Sequence, residues 1–424
     1  MLIEFSVSNF RSFREKQTFS LVAAPRLKKK DCVFKPDVVG EKLPDLLKVA
    51  AIYGPNASGK SNLLDALGIV RKIAELTPAV ETRKLPASPF RFDVELADQP
   101  SRFEYHFIQD RQRYQFELAL TQTRIVEERL TAYPSGVETL LYERTHTASG
   151  ESYKMGRALE GSSDLHNAWK NLTGSQVLFI AQAVANSSEE LKQLRTPLKW
   201  LKENLFVMDD KMTQHAHRVV EFLGIKIPNL GEILADFLRE IDVPITKIIF
   251  ENPLADTNLP QPRGSGDTFS SLMEGIKDLV RSNIKPQTTL THTTALGDAD
   301  FDFSEESNGT RNLVGFYGSW AAISQNNIAI VDELDSSLHP NIVEALIKKH
   351  LASENTGQLI FTTHDTHLMD AKLLRRDQFW LTERDANGAT QLRSIHDFDG
   401  REGEDIEKRY YAGRYRALPI LRKN

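Results

Sequence analysis

The sequence predicts an α/β protein in which a mixed sheet flanked by helices is built from both ends of the chain and carries an inserted, mainly helical lobe. Three observations lead there. Short apolar runs at 48–53 (KVAAIY), 328–331 (IAIV) and 358–362 (QLIFT) have the length of buried strands. Helical periodicity follows the first at Leu63, Leu67, Val70 and Ala74, and NIVEALIKKHL (341–351) separates the other two, the alternation of a parallel sheet with its crossover helices. From about Ile125 to Asp300 the pattern turns to helical segments broken by Pro197, Pro228, Pro244 and Pro253.

Composition sets outer limits on these elements. A chain of 424 residues is too long for one ordinary core, which implies two lobes or one large domain with an insertion. The net charge of -5 argues against an overall electrostatic grip on nucleic acid and leaves room for a local basic patch. The single cysteine, Cys32, excludes an internal disulfide framework and a cysteine-rich zinc site. It fits a reducing, cytoplasmic setting. Glu4 and Arg11 interrupt the apolar core that a signal peptide would need, and no segment approaches the length of a membrane span, so no membrane partner is expected.

Taken in order, Ile3, Phe5 and Val7 alternate with Glu4, Ser6 and Ser8, the period of a half-buried strand. KVAAIY reads as a buried strand that leads through a Gly-rich turn into a helix. Residues 103–120, FEYHFIQDRQRYQFELAL, read as two strands joined by a charged turn, so the first lobe, 1–125, mixes a parallel core with antiparallel additions. The inserted lobe, 126–300, contains LHNAWKNLTGSQVLFIAQAVA (165–185) and VVEFLGI (219–225), without the sustained heptads of a coiled-coil arm. The last part, 301–424, returns to strand, helix and strand and completes the core.

The Gly-rich turn is GPNASGKS, 54–61: two glycines with four residues between them, then Lys and Ser. Each residue type has a physical task in holding phosphate. The glycines let backbone N–H groups close around the anion, Lys60 reaches the terminal phosphates, and the Ser61 hydroxyl can ligate magnesium. The helix that begins near Lys60 points its positive end at the same place.

A second stretch, IAIVDELDSSLHP (328–340), drives a greasy strand straight into Asp332, Glu333 and Asp335, which requires solvent, a cation or a reaction. Beside a phosphate loop these acids acquire tasks: Asp332 joins the magnesium shell with Ser61, and Glu333 orients or deprotonates water. Two acids capping a strand or opening a helix are the structural alternative. His339 and His367 lie near acids without the spacing of a zinc helix and are read as ordinary packed or surface residues.

At this point the residues carry a resemblance. NFRSF (9–13), GPNASGKSN (54–62), VDELDSSLHP (331–340) and FTTHD (361–365) stand in the order found in ABC-type ATPases of the SMC and RecF group, which the chain resembles. SEESNGTRNL (304–313) resembles that group's signature motif in the form used by OLD-like and RloA/AbiL-like bacterial ATPases. YYAGRYRALP (410–419) resembles the closing segment of RloA-like proteins.

The resemblance implies an ABC-type P-loop ATPase head that uses ATP and Mg²⁺ and works as two chains apposed head to tail. Gly54, Gly59, Lys60 and Ser61 of one chain would hold ATP, with Asn56, Ser58 and Asn62 as further loop contacts. Ser307 and Gly309 of the other chain would close over the γ-phosphate. Glu333 would be the catalytic base, His364 the switch residue at the γ-phosphate, and Asp335 part of the loop crossing the dimer interface. Arg11 and Ser12 would neighbour the nucleotide. Asn308 and Thr310 around Gly309 depart from the commonest signature, and the glutamine that usually completes the magnesium site is unassigned, with Gln109 and Gln115 as candidates.

The same resemblance implies a role: the sensor or regulatory ATPase of a bacterial anti-phage, abortive-infection system. It would be a homodimer or higher homo-oligomer that controls a separately encoded effector, RloB-like or a nuclease. Asp365 to Asn424 offers no spaced acidic cluster of the kind a fused metal-dependent nuclease needs. A RecF-like DNA-repair clamp and an ATP-gated scaffold with negligible turnover are the competing readings. Lys408–Asn424, with six basic residues and interleaved Tyr410, Tyr411 and Tyr415, and RLKKK (26–30) make nucleic acid a candidate partner.

Overall fold

The structure, a computed structural model, describes residues 1–76, 83–188, 191–208, 229–241, 243–251, 287–336, 338–401 and 403–418. Two sheets dominate them. The first is antiparallel, with seven strands in the spatial order Gly150–Met155, Thr139–Thr147, Ile125–Ala132, Gln112–Leu120, Ser101–Gln109, Leu2–Ser8 and Gln17–Ser20. Alternation explains its inner face: Phe103, Tyr105 and Phe107 on one strand and Tyr114, Phe116 and Leu118 on the next are buried at every second position. The charged turn between them, Asp110 and Arg111, has φ of 49° and 62°, the left-handed pair of a two-residue hairpin whose twist matches its strands.

The second sheet has six strands in the order Leu205–Met208, Ile328–Val331, Gln358–Thr362, Val49–Tyr53, Phe379–Arg384 and Thr390–Ser394. All neighbours are parallel except the last pair. Strands covered on both faces read as continuous apolar runs, and 49–53, 328–331 and 358–362 are buried throughout. Successive residues of the strand Val49–Tyr53 serve two cores. Ala50 and Ile52 join Leu63, Leu67 and the inner face of the antiparallel sheet. Val49, Ala51 and Tyr53 join Leu313, Val314, Val343 and Leu346 from the helices Asn308–Ser324 and Pro340–Ala352. The strand that leads into the phosphate loop is therefore the wall between them.

The described part of 126–300 departs from the expected mainly helical lobe. Ile125–Ala132, Thr139–Thr147 and Gly150–Met155 extend the antiparallel sheet, so the boundary at 125/126 falls inside hydrogen-bonded strands. The helices Ser163–Leu172, Phe179–Ala185 and Arg195–Glu203 pack on that sheet through Trp169, Phe179 and Trp200, and Leu205–Met208 becomes an edge strand of the parallel sheet. The pattern misleads because polar residues occupy buried strand positions. Glu128 has no exposed surface, and its carboxylate accepts from Tyr142 Oη (2.7 Å) and from the N–H groups of Phe179 (2.7 Å) and Ile180 (3.1 Å). Arg144, 3.8 Å from it, donates to Val177 O and Gly174 O.

Pro197, expected to break a helix, sits in the first turn of Arg195–Glu203, where the missing N–H costs nothing. VVEFLGI, Pro228 and Pro253 lie outside the described residues. Ile245–Glu251, Gln287–Thr294 and Gly297–Asp302 form a small antiparallel sheet whose Ile245, Ile248 and Leu290 pack with Leu234 and Leu238 of the helix Leu230–Glu240. Among the described residues no helix is long and apolar enough to cross a membrane.

Candidate functional site

The phosphate loop joins the strand Val49–Tyr53 to the helix Lys60–Leu67 at the carboxyl edge of the parallel strands, where open α/β sheets bind ligands. Two of its positions demand glycine. Gly54 and Gly59 have φ of 153° and 110°, and a Cβ would lie 2.4 Å from Thr382 O at the first and 2.1 Å from Thr390 Oγ1 at the second. Lys60 is buried, and its ammonium donates to the carbonyl oxygens of Gly54 (2.9 Å) and Pro55 (3.4 Å). Burial lowers its pKa, while Asp332, Glu333 and Asp335 work in the opposite direction. Three carboxylates thus act electrostatically on one loop ammonium. Ser61 and Asn56 are exposed.

The side chains of Ser58 and Asn62 have partners within the chain. Ser58 is buried with Oγ 2.5 Å from Thr382 Oγ1, and Asn62 donates to Ser12 Oγ at 2.7 Å. Thr390 Oγ1 lies 2.8 Å from both Ser12 Oγ and Ser58 O. These side chains brace the loop from behind. Arg11, with φ of 50°, pairs with Asp65 and donates to Asn62 Oδ1 at 3.2 Å, which holds it against the loop's helix.

The acids are ordered by one hydroxyl. Thr362, fully buried at the end of its strand, donates to Asp332 and accepts from the N–H of Glu333 at 2.7 Å. Glu333 takes φ of 50° and carries an exposed side chain, while Asp332 is held back at the sheet edge. His364 is exposed, and its N–H lies 3.4 Å from Asp335 Oδ2. Asp335 Oδ1 and Asp365 Oδ2 are buried without a hydrogen-bond partner among the described residues. Tyr53 Oη donates to Asp365 O at 3.1 Å, which ties the histidine loop to the phosphate-loop strand. A cavity of about 580 Å³ opens between Gly54–Asn56 and His364 on one side and Arg384, Tyr410 and Arg416 on the other.

Ser307 caps the helix Asn308–Ser324 by accepting from the N–H of Thr310 at 3.1 Å. Neither Ser307 nor Gly309 lines the cavity at Gly54. Within the chain, Asn312 donates to Ser336 O at 2.9 Å and links that helix to the acidic loop. His339 Nδ1 accepts from the N–H of Asn341 and caps the helix Pro340–Ala352, while His367 is exposed beside Asp365. Gln115 is bonded to Glu104 and Tyr133, and Gln109 to Asp110; both belong to the antiparallel sheet and neither lines the cavity. Arg409 of the basic closing run is paired with Glu404 and bonded to Asp399 O.

Three threonines outside the sequence-predicted set, Thr362, Thr382 and Thr390, hold the site's loops. Thr362 stands two residues before His364 in FTTHD, so its motif was visible. Thr382 and Thr390 lie in strands more than 300 residues from the loop in sequence, and only the fold brings them to it.

The residues fit a magnesium-bound triphosphate. Two backbone cradles that a Cβ would fill, a buried ammonium, an exposed hydroxyl at Ser61 and a local excess of carboxylates leave room and charge for an anion and a divalent cation. Among the described residues no group of three or more His, Cys, Asp or Glu side chains could hold a metal ion.

Residues 49–370 match the family model described as "AAA domain, putative AbiEii toxin, Type IV TA system". No curated protein matched the chain. Among solved structures, an SMC head bound to the C-winged helix domain of ScpA is 13% identical with a TM-score of 0.42, covering 93% of this chain and 97% of its own. The SMC head domain from Thermotoga maritima is 14% identical with a TM-score of 0.41, covering 93% and 98%.

Proposed function

The chain belongs to that AAA domain family, and on this premise we propose that it is a magnesium-dependent ABC-type ATPase that binds and hydrolyses ATP between two head-to-tail copies. Its role is to regulate a separately encoded toxic effector in bacterial abortive infection. The observation that carries the enzymatic part is the Thr362 hydroxyl, which holds Asp332 back and turns Glu333 outward while the buried Lys60 ammonium spans the phosphate loop. The family description, which names a putative AbiEii toxin and a type IV system, supports a toxin–antitoxin setting; the separate effector rests on the resemblance of residues 410–419 to RloA-like proteins.

In this reading the loop N–H groups and Lys60 bind the β- and γ-phosphates. Ser61 and Asp332 would hold Mg²⁺, which supplies charge neutralisation at the phosphates when bound. Glu333 accepts the proton of the attacking water, and His364 donates to the γ-phosphate. Ser307, exposed at the start of a 17-residue helix and absent from its own chain's cavity, would reach the γ-phosphate held by a second copy. The buried, unpaired Asp335 Oδ1 accords with a loop completed by that copy.

The test uses Lys60→Ala and Glu333→Gln. Lys60→Ala is expected to abolish ATP binding. Glu333→Gln retains binding, loses turnover by at least about 10²-fold, and in ATP forms a stable dimer by light scattering. In cells that carry the neighbouring gene, toxicity and phage protection depend on both residues. Turnover and protection unchanged in both variants would sink the proposal.

A further inference from the structure

The closing segment folds over the cavity at the phosphate loop, and none of the roles above uses it. After the helix Ile406–Tyr411 the chain turns so that Tyr415 and Ala417 are buried while Arg416 between them is exposed, with φ of 63°. Tyr410 Oη donates to Ala417 O at 2.9 Å, and Tyr415 packs edge-on against Phe398 at 5.3 Å. Buried anchors on both sides of a left-handed arginine hold its backbone in place, and Arg416 lines the cavity with Gly54, Asn56 and His364. Arg384 lines the same cavity from the end of the strand Phe379–Arg384, whose Leu381 is in register with Tyr53.

Charge gives the cavity a purpose. Among the described residues neither Arg384 nor Arg416 has a side-chain hydrogen-bond or ion-pair partner, whereas Glu383, a carboxylate on the lining, faces Arg393 at 3.8 Å. Two unpaired guanidinium groups and a histidine at an open cavity attract an anion. The Lys60 ammonium, bonded to Gly54 O and Pro55 O, marks this end of the loop as that of the terminal phosphates. The segment also grips the histidine loop: Thr366 Oγ1 donates to Glu407 Oε1 at 2.6 Å and lies 3.0 Å from Tyr411 Oη.

We infer that Arg416 and Arg384 bind the terminal phosphate of the nucleotide held by their own chain, so that the closing segment distinguishes a triphosphate from a diphosphate next to His364. This inference rests on the nucleotide reading above. Calorimetric titration of the full chain with AMP-PNP and with ADP, both with Mg²⁺, tests it. Arg416→Ala should weaken AMP-PNP binding about tenfold, the loss of about 1.4 kcal/mol, and ADP binding less than twofold. Arg384→Ala should move the ratio in the same direction. Arg416→Lys should fall between wild type and Arg416→Ala, and Arg416→Glu beyond it, an ordering that misfolding would not produce. Melting curves like that of wild type are expected, because both side chains are exposed. A ratio within twofold of wild type in Arg384→Ala, Arg416→Ala and Arg416→Glu overturns the inference. If Lys60→Ala abolishes binding in that same experiment, the nucleotide reading stands and only the arginines lose their role; if wild type binds neither nucleotide, both fall.

Discussion

Thr362 shows how much one buried hydroxyl decides. It donates to Asp332, accepts from the N–H of Glu333, and lies at the end of the strand that leads to His364. Thr362→Val keeps the shape and removes both bonds, leaving a carboxylate oxygen and an N–H unpaired at a cost of about 1–3 kcal/mol. The expected outcome is a lower melting temperature together with a fall in kcat of at least about tenfold and near-normal ATP affinity, read by thermal unfolding and steady-state turnover. Unchanged kcat would show that the acids hold their positions without the threonine. At this scale the sequence was a good guide wherever the chemistry is local. The glycine turn between the strand and the helix was legible from spacing alone, because such a loop is made by consecutive residues. The hydrogen bonds of Ser58 and Asn62 were not legible, because their partners, Thr382 and Ser12, come from strands and turns far away in the chain.

Among the elements, the phosphate-loop strand, the acidic strand and the helix Pro340–Ala352 were legible because each is buried or amphipathic over its whole length. The strands Ile125–Ala132 and Thr139–Thr147 were not, since Glu128 and Arg144 interrupt the apolar alternation at buried positions. That pair is also what fastens the helix Phe179–Ala185 to the sheet, because the Glu128 carboxylate accepts from the first N–H groups of the helix. Burial pushes the pKa of Glu128 up, while Arg144, Tyr142 and the two N–H groups favour its charged form. Glu128→Ala leaves Arg144 with Glu151 as its one carboxylate among the described residues and unpairs the Tyr142 hydroxyl and the first two N–H groups of the helix, which should destabilise the fold by about 1–3 kcal/mol for each buried group left without a partner, measured by urea unfolding. A loss below about 1 kcal/mol would mean that Arg144 finds enough partners in Val177 O, Gly174 O and Glu151.

The whole molecule is organised around a shared wall. Ala50 and Ile52 belong to the core of the antiparallel sheet, Val49, Ala51 and Tyr53 to the core beneath the helices, and the phosphate loop hangs from the strand common to both. Gln358 adds a second tie, since it accepts from the N–H of Leu2 at 2.6 Å and donates to Leu2 O at 2.9 Å, joining the strand before His364 to the first strand of the other sheet. No short-range pattern could reveal such ties, because their partners are separated by most of the chain. The left-handed backbone of Glu333 has a consequence for the molecule as a whole. A residue other than Gly, Asn or Asp held there costs about 1–2 kcal/mol, and it is the residue assigned to take the proton from water. Glu333→Asn relieves that cost, so it should raise the melting temperature while ending turnover; a melting temperature at or below wild type would show that the strain is not stored there. Heat tolerance and activity then pull on this position in opposite directions, and a population of variants selected for endurance alone would drift toward sturdy, silent proteins.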